Sequence, residues 1–342
     1  MPRSEGAAMR TLRLPAFALA LGLLATGCAG TANPDSAFVA GSVVAPDAVR
    51  DGTLHGAAPA SSGGLIYVAD TTDSNVSVYP LAGKYQKQIG EIPNVPLAAY
   101  MNVDTAHNLY VAEFFAGTVD VYARGAKKPS LVLGVEPSGA RPNGVAVSAA
   151  GEVAVGQYDP VGIEFYRKGA TKPFKTIAPP ANFGAPGLCA YDASGNLYVI
   201  GSSGSPSHLG EIVGGGSGSS IEDFGTMPGI QNGRGVQVTS SGNVAVIADA
   251  GVVETFAPHS TKLLSKETLL DPPSDGPQPN GGLWFTPDGK DLYVASGILN
   301  IKSQGEALEY AYPKGGTIVN TIDVVVPKGG SQTAVTSMTI DP

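Results

Sequence analysis

From residue 65 onward the chain alternates short apolar runs with small polar turns. Its most regular element is an apolar triplet: Ile66-Tyr67-Val68, Leu109-Tyr110-Val111, Val153-Ala154-Val155, Leu197-Tyr198-Val199, Val244-Ala245-Val246 and Leu292-Tyr293-Val294. Successive triplets lie 43, 44, 44, 47 and 48 residues apart. The turns carry Gly, Asn and Asp, as in Asp192-Ala193-Ser194-Gly195-Asn196. These residue types accept the positive φ that tight hairpins require. The runs between turns are β-branched and aromatic without a 3.6-residue period, so they predict strands. No helix is expected after residue 30.

Each repeat has the same order. A first strand such as Gly144-Val145-Ala146-Val147 leads through a turn into the triplet strand. A third strand follows, as in Val119-Asp120-Val121-Tyr122 or Ile163-Glu164-Phe165-Tyr166, and then a fourth, as in Ser130-Leu131-Val132-Leu133. Four short antiparallel strands repeated six times predict an all-β, six-bladed β-propeller. The first repeat begins at its second strand, Leu65 to Ala69, and the chain ends in a lone strand, Ala334 to Asp341. These two fragments complement one another, so the first blade is expected to be closed by the C-terminal strand, which hides both edges.

The segments before the repeat carry an address. Arg10 and Arg13 precede an apolar run, Leu14 to Ala25, which ends in small residues and Cys28. That run suits a signal peptide and is too short to span a bilayer. The sequence Leu24-Ala25-Thr26-Gly27-Cys28 resembles a bacterial lipobox, which implies cleavage after residue 27 and lipidation of Cys28. Met9 is an alternative start. Residues 28–62, rich in Ala, Gly, Ser and Pro, read as a flexible tether, and residues 63–342 as the propeller. The expected location is the bacterial cell envelope, with membrane contact through the lipid anchor only.

Composition narrows the partners. The net charge is −8, and basic residues occur only in short groups such as Lys127-Lys128, which argues against nucleic acid. With Cys28 lipidated, Cys189 is left alone, so the fold depends on its core rather than on a disulfide. Cys189 itself reads as a small buried apolar side chain. Trp284 reads as core on a first strand, and His107 as a solvated turn residue. The four histidines lack the spacing of a zinc site. No Gly-x-Ser-x-Gly elbow is present, and Gly214-Gly215-Gly216-Ser217-Gly218 lacks the ending of a phosphate loop. The Asp271 to Gly276 stretch only echoes a calcium loop.

Tyr67-Val68-Ala69-Asp70, Tyr110-Val111-Ala112-Glu113 and Pro142-Asn143-Gly144-Val145-Ala146-Val147 resemble NHL and YVTN-type repeats. The stretch from Pro279-Asn280-Gly281 to Leu292-Tyr293-Val294 is similar to the senescence-marker-protein/gluconolactonase family. That resemblance implies a divalent cation, such as Ca²⁺, held in the channel mouth by Glu, Asn and Asp from different blades. Asn143 and Asn280 match its Pro-Asn-Gly motif, and Asn232 stands in a related Gln-Asn-Gly. Asp70, Glu113 and Asp249 follow the triplets at the same end, and Arg141 and Arg234 flank two of the asparagines as ligand-binding candidates. The family's Glu on the first inner strand has no counterpart, since that segment reads Ser331-Gln332-Thr333.

The leading expectation is therefore a non-catalytic, monomeric scaffold that binds a protein, peptide or glycan. The alternative is a metal-dependent hydrolase of lactone or ester type, and a purely structural envelope protein comes third.

Overall fold

A computed structural model describes residues 63–71, 73–83, 86–158, 162–202, 206–248, 251–269, 278–286, 288–297, 306–312, 318–323 and 335–342. The signal segment, Cys28, the tether and Asp249 lie outside these residues, as does Asp271 to Gly276.

Blade 1 joins β1 (Leu65–Asp70), β2 (Asn75–Pro80) and β3 (Gly90–Pro93) to the C-terminal strand β24 (Val335–Asp341). Blade 2 is β4 (Ala98–Val103), β5 (Leu109–Glu113), β6 (Thr118–Tyr122) and β7 (Leu131–Gly134). Blade 3 is β8 (Pro142–Val147), β9 (Val153–Gln157), β10 (Gly162–Tyr166) and β11 (Lys175–Ile177). Blade 4 is β12 (Ala185–Tyr191), β13 (Leu197–Ser202), β14 (His208–Ile212) and β15 (Glu222–Thr226). Blade 5 is β16 (Gly233–Val238), β17 (Val244–Ala248), β18 (Val252–Phe256) and β19 (Leu263–Thr268). Blade 6 is β20 (Gln278–Phe285), β21 (Asp291–Gly297), β22 (Glu306–Ala311) and β23 (Ile318–Asp323).

Every blade is a four-stranded antiparallel sheet, and the inner strands touch in the closed order β24, β4, β8, β12, β16, β20 and back to β24. The protein is an all-β, six-bladed propeller closed through its first blade. Among the described residues helical geometry is limited to 3₁₀ turns, at Gly215–Ser217 in the glycine-rich loop between β14 and β15 and at Gly251.

The triplet strands explain why the apolar runs are continuous. β1, β5, β9 and β17 are buried at every residue, because each is pressed between two neighbouring blades. Tyr67, Val76 and Val78 of blade 1 pack against Met101, Leu109 and Val111 of blade 2. Ile163 and Phe165 of blade 3 pack against Cys189, Leu197 and Val199 of blade 4. Each fully buried side chain of this kind contributes about 1.5–3 kcal/mol. Cys189 is buried as expected, and burial pushes its thiol up to about 12. Trp284 lies on β20, half-buried against the core between blades 6 and 1.

The turns joining first and second strands follow the sequence signal. Asp104 Oδ1 accepts the backbone N–H groups of Ala106 (2.9 Å) and Asn108 (2.8 Å). Asp192 holds Ser194 (2.9 Å) and Asn196 (2.8 Å) in the same way. Such local bonds satisfy the turn's donors and fix its register.

Closure depends on more than strand pairing. β24 runs antiparallel to β1 from Leu65 opposite Asp341 to Asp70 opposite Val335. Asp341, fully buried, is gripped by two residues of blade 2: Arg124 at 2.7 Å and His107 Nδ1 at 2.5 Å. Arg124 also donates to the Gly63 carbonyl at the start of the ring. His107 is thus not simply a solvated turn residue: its left-handed backbone (φ 64°) brings the ring onto Asp341.

Candidate functional site

Register locates the candidate residues at one end of the ring. In five blades the first residue or residues of the inner strand lie opposite the end of the second strand: Ala98 opposite Glu113, Pro142 opposite Gln157, Ala185 opposite Ser202, Gly233 opposite Ala248 and Gln278 opposite Gly297. Blade 1 matches them with Val335 opposite Asp70. This end is the channel mouth to which the sequence motifs pointed.

A β-bulge recurs there in every blade. The pairing skips Thr336, Ala99, Asn143, Gly187, Arg234 and Asn280 in turn around the ring. A bulge frees one residue from the ladder and re-aims its side chain. Three of the predicted residues, Asn143, Arg234 and Asn280, therefore hold equivalent positions. Gly187 serves this arrangement directly. A Cβ there would lie 2.5 Å from Asn143 Nδ2, so the Asn143 amide rests against the bare backbone of the next inner strand. Likewise a Cβ on Gly144 would collide with the Gly187 carbonyl. Asn232 sits just before β16 and is half-buried.

The axis below the mouth is closed. Tyr100 of blade 2 is 1 % exposed, and its hydroxyl donates to the Val236 carbonyl of blade 5, on the far side of the ring, at 3.5 Å. Its hydroxyl also bonds the side chain of Gln237, and burial drives its ionisation upward. A Cβ on Gly282 of blade 6 would meet the Tyr100 ring at 3.9 Å. The ring therefore fills the space between inner strands, and the mouth is a blind well.

The acidic candidates differ in environment. Asp70 is buried at the end of β1, where Oδ1 accepts the Asp73 N–H at 3.2 Å. Glu113 is buried at the end of β5 and is hydrogen-bonded to Asp120 on β6. Burial, then the negative charge of Asp120, pushes the Glu113 carboxyl up to about 8. Burial also raises Asp120, against the bond it receives from Thr118 Oγ1 at 3.0 Å. Two carboxyls this close share a proton rather than both ionising. No three His, Cys, Asp or Glu side chains converge as metal ligands among the described residues.

Arg141 adds a feature that sequence reasoning missed. Its guanidinium lies 5.6 Å from the centroid of the Phe114 ring. Phe114 meets Phe115 edge-on (5.4 Å, 81°) and Tyr158 at a tilt (6.4 Å, 50°). Phe115 and Tyr158 are 55 % and 54 % exposed. This ridge stands at the mouth between blades 2 and 3, because Phe114 and Tyr158 are the first residues after β5 and β9. The available signal was aromatic residues where a polar loop should begin, in Glu113-Phe114-Phe115 and Gln157-Tyr158.

No protein-family model matches the chain, and no curated protein is similar in sequence. Solved structures do show the fold. A chain in the structure of a nidogen/laminin complex superposes with a TM-score of 0.62 at 14% identity, over 81% of this chain and 98% of that one. The streptogramin B lyase structure matches with a TM-score of 0.54 at 11% identity, over 84% of this chain and 95% of that one. At these identities the likeness is one of architecture: this chain folds as those β-propellers do.

Proposed function

We propose that the protein is a non-catalytic binding ring whose mouth face takes a protein segment carrying acidic and apolar side chains. The observation that carries this reading is the ridge formed by exposed Phe115 and Tyr158 around half-buried Phe114, with Arg141 beside it. Exposed apolar clusters mark interaction sites, and aromatic residues with Arg dominate protein interfaces. The rings are strongly inclined to one another, which suits an irregular protein surface better than the flat face of a sugar. The Arg141 guanidinium supplies planar donors for a carboxylate. Because Tyr100 closes the axis, a partner binds onto the mouth and does not thread through it.

The test compares mild-crosslinking pull-downs with the wild type and an Arg141→Ala/Phe115→Ser double variant. A captured protein that the variant loses, and that binds the purified chain directly, supports the reading. Capture unaffected by the substitutions, or a glycan as the retained ligand, overturns it.

The second reading keeps the gluconolactonase-like hydrolase, with a divalent cation at Asn143, Asn232, Asn280, Glu113, Asp70 or Asp249. Its support is that Asn143 and Asn280 share equivalent bulges on the same end of the ring as Asp70 and Glu113. Against it, the Glu113 carboxyl is engaged with Asp120. One structural neighbour comes from a protein complex and the other is a lyase, so the fold serves both readings. A melt in EDTA, then with Ca²⁺, Mg²⁺, Mn²⁺ or Zn²⁺, decides. An ion at a hundred times its Kd adds about 2.7 kcal/mol, and Asn143→Ala would abolish that shift. Lipidation of Cys28 and an envelope location complete the proposal; radiolabelled palmitate incorporated into the wild type and not into Cys28→Ser is the expected result.

A further inference from the structure

At the end of blade 4 away from the mouth, β14 and β15 place Glu211 directly opposite Glu222. Like charges facing each other across a ladder repel, so the pair calls for a cation. Glu211 is 1 % exposed, and only one of its oxygens is satisfied: Oε2 meets His259 Nδ1 of blade 5 at 2.5 Å. The other oxygen, Oε1, is buried and has no hydrogen-bond partner. An unsatisfied buried acceptor costs about 1–3 kcal/mol, more when charged. Glu211 lines a cleft of about 190 Å³ together with Val213, Gly218, Ser219, Ser220 and Glu222.

We propose that this cleft binds an organic cation, a guanidinium or primary ammonium group, with Glu211 and Glu222 as its anionic partners. Ser219 and Ser220 add hydroxyl acceptors, and Val213, 59 % exposed, gives an apolar lip for the carbon stem. The cleft is smaller than the pocket of a drug-sized ligand but exceeds the room a bare ion needs, which suits a single cationic head group. The donor set argues the same way, since Ca²⁺ takes six to eight oxygens and two carboxylates with two hydroxyls are a sparse cage. The cleft is separate from the mouth and does not depend on what binds there.

The test uses fluorescence polarisation of a labelled Gly-Gly-Arg-Gly-Gly peptide on the full chain, with the citrulline peptide as the neutral isostere. The arginine peptide is expected to bind about tenfold more tightly than the citrulline one, the scale of a charge-assisted hydrogen bond. Glu222→Gln, on the exposed strand β15, is expected to remove most of that difference while leaving the melt unchanged. Glu211→Gln provides a second variant; should it unfold, Glu222→Gln and Ser220→Ala still decide. Competition by free L-arginine or spermidine separates the sources. Equal potency to the peptide assigns a small metabolite amine, and much weaker potency assigns a basic side chain of a partner. Equal binding of the two peptides, no effect of Glu222→Gln, or submillimolar binding of Ca²⁺ that displaces the peptide overturns the proposal.

Discussion

The two ends of the ring are built on different principles. At the mouth, bulges interrupt each inner strand, aromatic rings stand in solvent, and a carboxyl pair is held by a shared proton. At the opposite end, short turns close on their own Asp and Asn side chains, and polar bonds tie blade to blade. Glu152 of blade 3 accepts the Tyr191 hydroxyl (2.9 Å) and the Gly216 N–H (2.8 Å) of blade 4. Thr255 and Tyr312 join blades 5 and 6 (2.8 Å), and Arg124 with His107 locks blade 2 onto Asp341. Bonds between blades occur at the mouth too, where Thr336 Oγ1 donates to the Ala98 carbonyl (3.0 Å) and the Gly233 N–H to Ser207 Oγ (3.1 Å). But the mouth adds a bulge in every inner strand, which leaves residues there free to differ from blade to blade. A repeated fold can carry a site only where its repeats depart from one another.

The largest way to break this division is to remove the last ten residues. Blade 1 then loses β24, and the expected outcome is an unfolded chain with no cooperative melt by circular dichroism. Tyr100→Ala comes next: emptying the axis should cost about 3–5 kcal/mol, in line with other large-to-small core changes. Tyr100→Phe, which keeps the ring and drops the hydroxyl's bonds to Val236 and Gln237, should cost about 1–2 kcal/mol. Arg124→Ala leaves Asp341 a buried charge without its main partner and should cost about 3 kcal/mol by denaturant unfolding. This loss would show that the secured end, not strand pairing alone, closes the ring.

The pH response sharpens the comparison from the other side. Glu113 in the folded protein holds its proton to about 8, above its ordinary 4.5, so the folded state binds more protons than the unfolded one between those values. Stability contributed by the protonated pair is therefore present below about 4.5 and lost as pH rises through 8. The midpoint of unfolding should fall across that window, and Glu113→Gln should flatten the dependence. The smallest effect belongs to His259, whose pKa is raised chiefly by its bond to Glu211. Its contribution is complete below the ordinary His value near 6.5 and fades as pH rises through the raised one. Because the imidazole is largely exposed, this pH-dependent part should be only about 0.5 kcal/mol. It is read as the flattening of the pH profile in His259→Ala rather than as that variant's total cost, which includes leaving buried Glu211 without its partner.

The sequence carried the architecture clearly because the repeat has a chemical cause. A strand buried on both faces must be apolar throughout, so the six triplets stand out, and the lone strand at 334–341 reveals the closure. The bulges were legible only indirectly, through the Asn-Gly pairs that mark them at Asn143 and Asn280. Tyr100 was not legible: one tyrosine among 13 says nothing of a contact 136 residues away. The partnership of Glu113 with Asp120 was also hidden, because seven residues of separation become neighbours only once β5 and β6 pair. The ridge at Phe114 and Tyr158 needed the third dimension to unite two loops from different blades.

The tyrosine that fills the axis also fixes what kind of object this ring is. With the Tyr100 side chain lying across the axis, the propeller is a disc rather than a conduit. Two occupants, one on each side, would stay chemically insulated, and any communication between them must travel as a tilt of the blades. Substitutions on one face therefore reach the other only through the packed blades between them, where Tyr100 touches the cores of blades 4 and 5.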